Sequence, residues 1–312
     1  MRVFVVGGTG AIGRRLVPLL VDRGDVVVAT TTSAARSDDI AGMGAEPMVL
    51  DLLDRGATIA AVLAAKPDVV LHQATALAGR FDVRRLDRFF TRTNLLRTVG
   101  TDHLLAAARE AGVPRLVAQS YTGWPNARGT GPATEDDPLE PQPPASARKT
   151  IDAIRYVEAS VPAARGIDGV VLRYGSFYGP GTSLGPGGEF VEMVRARRFP
   201  IVGDGSGVWS FLHIDDAATA TVRAIDDAAP GLYNIVDDDP APVREWLPVL
   251  ADALGAKPPR HVPAALARLA VGSNGVRVMT GARGSTNTKA KSELGWTPVH
   301  ASWREGFRTL AV

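Results

Sequence analysis

The opening segment MRVFVVGGTGAIGRRLVPLLVDRG, residues 1–24, constrains the fold more than any other part of the chain. MRVFVV is a short β-branched apolar run, which reads as a buried strand. GGTGAIG (7–13) follows at once, and RRLVPLLVDRG (14–24) reads as a helix ended by Gly24. A glycine loop between a strand and a helix is the context a phosphate-binding turn needs. Gly7 lets the chain turn, Gly10 lets backbone N–H groups approach a pyrophosphate, and Gly13 lets helix and strand pack closely. With Thr9, Ala11 and Ile12 between them, these glycines place an anion at a helix N-terminus.

The rest of the chain repeats the alternation. Strands are expected at 25–32, 47–51, 68–74, 115–120, 168–175, 208–214 and 232–236. Helices are expected around 55–65, 86–111, 148–161, 189–198, 215–227, 243–254 and 263–271. Strands alternating with helices predict an α/β fold, a Rossmann-type doubly wound parallel sheet covered on both faces. The expected division is a dinucleotide-binding unit over 1–175. Residues 176–312 then form a mixed segment, mainly a small C-terminal substrate lobe with some elements returning to the sheet. Residues 123–147, rich in Pro, Gly and acid, read as a long loop of the kind that carries function or closes as a lid.

Composition excludes several classes. The chain has no cysteine, so disulfides and thiol chemistry are ruled out. The five His residues are scattered without metal-like spacing, so no metal site is expected. A net charge of +2 without a dense basic run gives no reason to expect a nucleic-acid partner. No apolar run is long enough to span a bilayer, and the start of the chain has no signal-peptide layout. A cytoplasmic protein with a small-molecule substrate is the expectation.

The glycine spacing, Gly-x-x-Gly-x-x-Gly, resembles that of the extended short-chain dehydrogenase/reductases, the superfamily holding nucleotide-sugar epimerases and dehydratases. DLLD (51–54), HQATA (72–76), TNLLRTVGTDHLLAAA (93–108), LRYGSFYGPG (172–181), FLHIDDAATA (211–220) and ELGWTP (293–298) resemble further signatures of that family. The resemblance implies that Asp51 and Leu52 lie at the adenine, that Gln73, Ala74 and Thr75 pass under the cofactor, and that Tyr174 lies near the nicotinamide. It also implies a homodimer through the long helices.

A NAD-preferring site carries an acid at the end of the second strand. Here that strand ends in TTTSAAR (30–36), with no acid. Thr32 and Ser33 are placed to hydrogen-bond a 2′-phosphate and Arg36 to pair with it, which favours NADP over NAD. The bland alternative is that Arg36 is a solvated helix residue.

The resemblance also implies a Tyr-x-x-x-Lys pair on the helix after the long loop, where the Lys charge lowers the Tyr pKa. RKTIDAIRYVEASV (148–161) lacks it. Glu158 fits the family's Glu four residues beyond the Lys, which puts Ile154 at the Lys position and Thr150 at the Tyr position. At about 100° per residue, Thr150, Ile151, Ile154, Val157 and Val161 share one side. Lys149 and Tyr156 lie off that side, about 10 Å apart along the axis, and cannot be the coupled pair. Thr150 can hydrogen-bond but does not ionise.

After the fifth strand the chain reads QSYTGW (119–124). Ser120 or Tyr121 is the candidate hydroxyl for the substrate oxygen. Tyr121 alternatively supplies the lost phenol, or it forms a pocket wall with Trp124. Thr122, Trp124, Thr150, Ser176, Tyr178 and Trp209 are the expected pocket lining. Trp209 stands where the resemblance implies a diphosphate-gripping Arg, and an apolar ring cannot clamp phosphate. Arg283 is a candidate second anion contact or a surface residue. These departures argue against a nucleotide-sugar substrate. Three readings follow: an atypical NAD(P)(H) oxidoreductase or epimerase acting at a C–OH/C=O centre, a non-redox enzyme on the same scaffold, and a non-catalytic NADP-binding protein.

Overall fold

The computed structural model describes residues 1–77 and 82–311. Six strands, β1 (Arg2–Val6), β2 (Val26–Thr31), β3 (Glu46–Val49), β4 (Val69–His72), β5 (Arg115–Tyr121) and β6 (Asp168–Tyr174), join an edge strand at Gly231–Ile235. The sheet order is edge strand–β6–β5–β4–β1–β2–β3, and every pairing is parallel. The chain winds outward in both directions from β1, as expected. The order reverses between β1 and β4, and the crevice at that point is where doubly wound folds hold ligands.

Two apolar layers flank the sheet. Helix α1 (Gly13–Asp22) buries Leu16, Val17 and Leu20 against it, each contributing about 1.5–3 kcal/mol relative to exposure. The helix Ile214–Asp226 packs beside α1, so part of the second half of the chain returns to cover the central sheet. The edge strand joins that sheet. Phe211, Trp246, Trp303 and Phe307 form the aromatic core of a separate small lobe.

Three expected elements differ. The single helix over 86–111 is four pieces: Leu86–Phe89, Thr91–Leu95, a π-helical turn Leu96–Gly100, and Thr101–Ala111. Gly100 lies so close to Leu52 that a Cβ there would meet its Cδ2 at 2.8 Å. The helix near 263–271 runs to Gly281, broken at Gly272 by a φ of 70°. The strand near 208–214 is split into Val208–Trp209 and Phe211–His213.

Candidate active site

The glycine loop is built by backbone. Gly7 has φ 94°, and a Cβ on it would sit 3.0 Å from the Ala74 backbone. A Cβ on Gly13 would lie 2.4 Å from the Gly7 carbonyl oxygen, and one on Gly8 would strike Ala29 at 2.7 Å. Gly8 was not among the expected residues, although its donation to the Thr30 carbonyl ties the loop to β2. Gly10 donates to Gly7, and the chain is helical from Ile12. The Arg14 N–H closes the first turn onto the Gly10 carbonyl. The N–H groups just before it stand at the helix entrance, where a phosphate is held. A cleft of about 450 Å³ opens there, bounded by Thr9, Ala11, Arg14 and Arg15 on one side and Pro180 and Gly181 on the other. This glycine cradle fits a dinucleotide pyrophosphate.

Three arginines ring the loop. Arg36 donates to the Thr9 carbonyl at 2.7 Å and touches Asp39 at 3.3 Å. Arg14 pairs with the same Asp39 at 2.8 Å, and Arg15 pairs with Asp215 at 3.2 Å. Arg36 therefore reaches back to the loop while its side chain stays partly in solvent. Thr32 is exposed beside it and Ser33 half-buried. Asp51 is exposed and paired with Arg92 at 3.0 Å, whereas Leu52 is buried against the helix turn at Gly100.

Under the loop, Gln73 follows β4 and its amide nitrogen donates to the Tyr174 hydroxyl at 3.3 Å. The Gln73 Oε1 is buried without a partner. Ala74 is half-buried and Thr75 exposed. Tyr174 is 1 % exposed, its hydroxyl bonded to Thr221 at 2.7 Å and its pKa pushed up to about 12 by burial. It supports the crevice floor from the core, a correction to its expected place beside the nicotinamide.

The helix Arg148–Ser160 buries Thr150, Ile151, Ile154, Val157 and Glu158. Lys149 and Tyr156 are exposed, and the Tyr156 hydroxyl donates to Asp102. Thr150 is fully buried. Its hydroxyl donates to Asp87 at 2.8 Å and accepts from Asn94 at 3.2 Å. Asp87 also accepts the backbone N–H groups of Lys149 and Thr150, and so caps the helix start. Thr150 is thus a structural hydrogen-bonder, not pocket lining.

Ser120 is corrected too. Its hydroxyl is 1 % exposed and donates to Glu158 at 2.7 Å. Glu158 holds the Arg173 guanidinium in a buried two-bond ion pair at 2.9 and 2.7 Å. The Ser120 proton is thereby committed to the core rather than to the crevice. Tyr121 is half-buried, and its hydroxyl lies 2.8 Å from the Ser176 hydroxyl. Burial pushes the Tyr121 phenol up, while the Ser176 hydrogen bond and the Arg97 charge oppose this. Arg97, in the π-helical turn, is 5 % exposed with its Nε unpartnered. Burial lowers it to about 10, against the pull of Glu158 and Tyr121. Sequence reading missed Arg97. The signal was a lone Arg in an otherwise uncharged stretch, LLRTVG.

Of the other expected lining residues, Thr122 and Tyr178 are sealed in the interior. Thr122 is buried and bonded to Asn126 and Ser285. Tyr178 is buried in the lobe, edge-on to His213 and Phe307. Trp209 is half-buried against Trp246 at 4.9 Å, its indole N–H donating to the Val278 carbonyl. Trp124 packs against Tyr121 at 6.1 Å between their ring centres. Arg283 is not an anion contact: it pairs with Asp137 at 2.9 Å and holds that carboxyl down at about 2. Arg277 holds Glu140 at 2.7 Å. These two pairs fasten the 123–147 loop to the lobe.

Scattered spacing also concealed a cluster. His213 and His300 stack at 3.7 Å between ring centres and 27° between planes, with Asp216 accepting from His300 Nδ1 at 3.0 Å. Stacked rings send their in-plane lone pairs side by side rather than toward one ion, so the arrangement suits packing better than metal ligation.

The chain matches the NAD dependent epimerase/dehydratase family over residues 3–236, and it belongs to that family. A "3-diazoavenalumate denitrifying reductase" from Streptomyces sp is 44% identical over 310 residues, covering 98% of this chain and 99% of that protein. A "2-alkyl-3-oxoalkanoate reductase" from Stenotrophomonas maltophilia (strain K279a) is 32% identical over 82% of this chain and 76% of that one. The Thermus thermophilus UDP-glucose 4-epimerase, solved in complex with NAD, superposes with a TM-score of 0.73 at 26% identity, covering 100% of this chain and 98% of that one. The protein is an enzyme of this family, whose members use a nicotinamide cofactor. No helix of the described residues is long and apolar enough to cross a membrane.

Proposed function

We propose that this chain is an NADP(H)-dependent reductase whose substrate is a conjugated carboxylic acid bearing its own leaving group, with diazo acids as the class. One observation carries the reading. The Thr150 hydroxyl, which the register counted back from Glu158 puts at the family's tyrosine position, is fixed between Asp87 and Asn94, and Lys149 and Tyr156 are exposed. Carbonyl reduction leaves an alkoxide that needs a positioned proton donor. A reduced nicotinamide supplies hydride, and an aryl diazonium plus hydride balances as arene plus N2 with no proton drawn from the protein. The reductase 44% identical to this chain, named for a diazo acid, supports this substrate class.

In this reading the glycine loop holds the pyrophosphate, and Arg36 with Arg14 meets the 2′-phosphate. Tyr121 and Trp124 form an aromatic wall that excludes water. Arg36→Ala should weaken NADPH binding by about 10- to 100-fold, the loss of a charge-assisted contact, and leave NADH binding nearly unchanged. Leu95, Val99 and Tyr156 are exposed on adjacent helices, and we place a homodimer contact there. A monomer in sedimentation velocity would remove that contact from the proposal.

The deciding experiment incubates the protein with NADPH deuterated at the transferable position and a 2-diazophenol bearing a carboxylate. Release of N2 equal to NADPH oxidised, with deuterium on the product ring, is expected. NADPH oxidation without N2, or no turnover, would sink the reading.

A second reading has its own observation. The Tyr121–Ser176 pair beside Arg97 is a phenol kept protonated next to a cation, which suits a general acid for a ketone. The relative named for an oxoalkanoate favours it. Tyr121→Phe separates the two: a loss of about 100-fold in kcat marks the general acid, and a change within about threefold marks diazo reduction.

A further inference from the structure

A second cleft, of about 510 Å³, lies between the 127–144 loop and the helix Ala264–Gly281. Three arginines line it: Arg128 from the loop, and Arg268 and Arg277 from the helix. Arg277 is already committed, to Glu140 and to the carbonyls of Trp124 and Asn126. Arg128 and Arg268 have no ion-pair partner among the described residues, so the cleft carries a net positive charge.

The helix is shaped to make this cluster. Arg268 and Arg277 are nine positions apart, and at about 100° per residue they would point to opposite sides of a straight helix. Gly272, at φ 70° and ψ 179°, breaks the helix between them and brings both to the same cleft. That backbone conformation is one that side-chain-bearing residues rarely adopt. Pro141 and Pro144 add flat apolar walls, and Ser273 adds a hydroxyl just beyond the break. One end of the cleft adjoins the backbone of Trp124, whose ring packs on Tyr121. The chain from Trp124 to Arg128 spans at most about 14 Å, enough for a conjugated acid side chain with its ring.

We propose that this cleft is the carboxylate subsite of the enzyme, with Arg128 and Arg268 gripping the acid group while its conjugated arm lies along the prolines toward Tyr121 and Trp124. The proposal rests on the reading of the substrate as a conjugated acid, and it assigns the two ligands to two different clefts: cofactor phosphates at the glycine loop, substrate carboxylate here.

The test needs no turnover, so it can fail independently of the diazo chemistry. The full chain is titrated with 4-hydroxycinnamate and with its methyl ester, read by tryptophan fluorescence and by calorimetry. The acid should bind at least about tenfold more tightly than the ester, as expected for one charge-assisted contact. Arg128→Gln/Arg268→Gln should abolish that difference, and Gly272→Ala should reduce it without removing a charge. NADPH affinity at the glycine loop should stay constant in all three proteins, which establishes that they are folded. Equal binding of acid and ester, or unchanged acid binding in the double variant, would overturn the proposal. Displacement of the acid by UDP at lower concentration than by the acid itself would also overturn it, in favour of a diphosphate site.

Discussion

The glycine loop and the helix Arg148–Ser160 are built by different means. The loop is shaped mainly by backbone: Gly7, Gly8 and Gly13 each occupy a place where a Cβ would collide or strain. The helix is held largely by side chains: Asp87, Asn94 and Thr150 on one network, Ser120, Glu158 and Arg173 on another. A backbone cradle admits almost no variation. A side-chain network can be exchanged residue for residue while the helix keeps its position. On the proposed reading, this chain keeps the cofactor end of its family and differs at the proton end.

The largest effect that could break this contrast is at the loop. Gly13→Val puts a branched carbon 2.4 Å from the Gly7 carbonyl oxygen. It should abolish NADPH binding in a fluorescence titration and destabilise the fold by about 1–3 kcal/mol. Retained binding would mean that the loop is not a backbone cradle.

Next in size is Glu158→Gln, which leaves Arg173 buried beside a neutral partner. Urea unfolding should show a loss of about 3–5 kcal/mol, since removing one member of a buried ion pair strands the other. A loss below about 1 kcal/mol would show that the network is not structural.

A buried histidine should also make the protein sensitive to acid. His72 is buried, bonds the Leu96 carbonyl through Nε2, and is lowered by burial from 6.5 to about 4. Its folded pKa lies below its unfolded value, so between those two pH values the unfolded chain binds more protons. Stability is then full above about pH 6.5 and falls as the pH drops toward 4. A histidine lowered that far loses about 3 kcal/mol of stability across this window. Urea midpoints between pH 7.5 and 4 should follow that curve, and His72→Gln should flatten it.

Thr150→Val sharpens the comparison with the smallest effect. It removes the hydroxyl between Asp87 and Asn94 and should cost about 1–2 kcal/mol, with kcat within about twofold of the unsubstituted enzyme. A fall in kcat beyond about tenfold would return Thr150 to the chemistry.

Much of this molecule was legible before the structure. Strand and helix periods placed the parallel sheet, and the helical period over 148–161 put Thr150, Ile151, Ile154 and Val157 on the buried side where they lie. Aromatic residues were harder to place. Tyr174 and Tyr178 are the same residue type as Tyr121, yet both are sealed in cores. A ring at the end of a strand carries no local sign of whether it meets a ligand or a neighbouring helix.

The sequence by itself determined the sheet and the cofactor loop, because glycine identity and apolar period act on the few residues nearest in the chain. Only the tertiary structure decided which polar side chains pair with which. Tyr121 meets Ser176 from 55 positions away, Thr150 meets Asp87 from 63, and Arg283 returns to Asp137 from 146. Hydrogen bonds and ion pairs of that kind depend on distances of a few ångströms, which the fold sets and local sequence cannot encode.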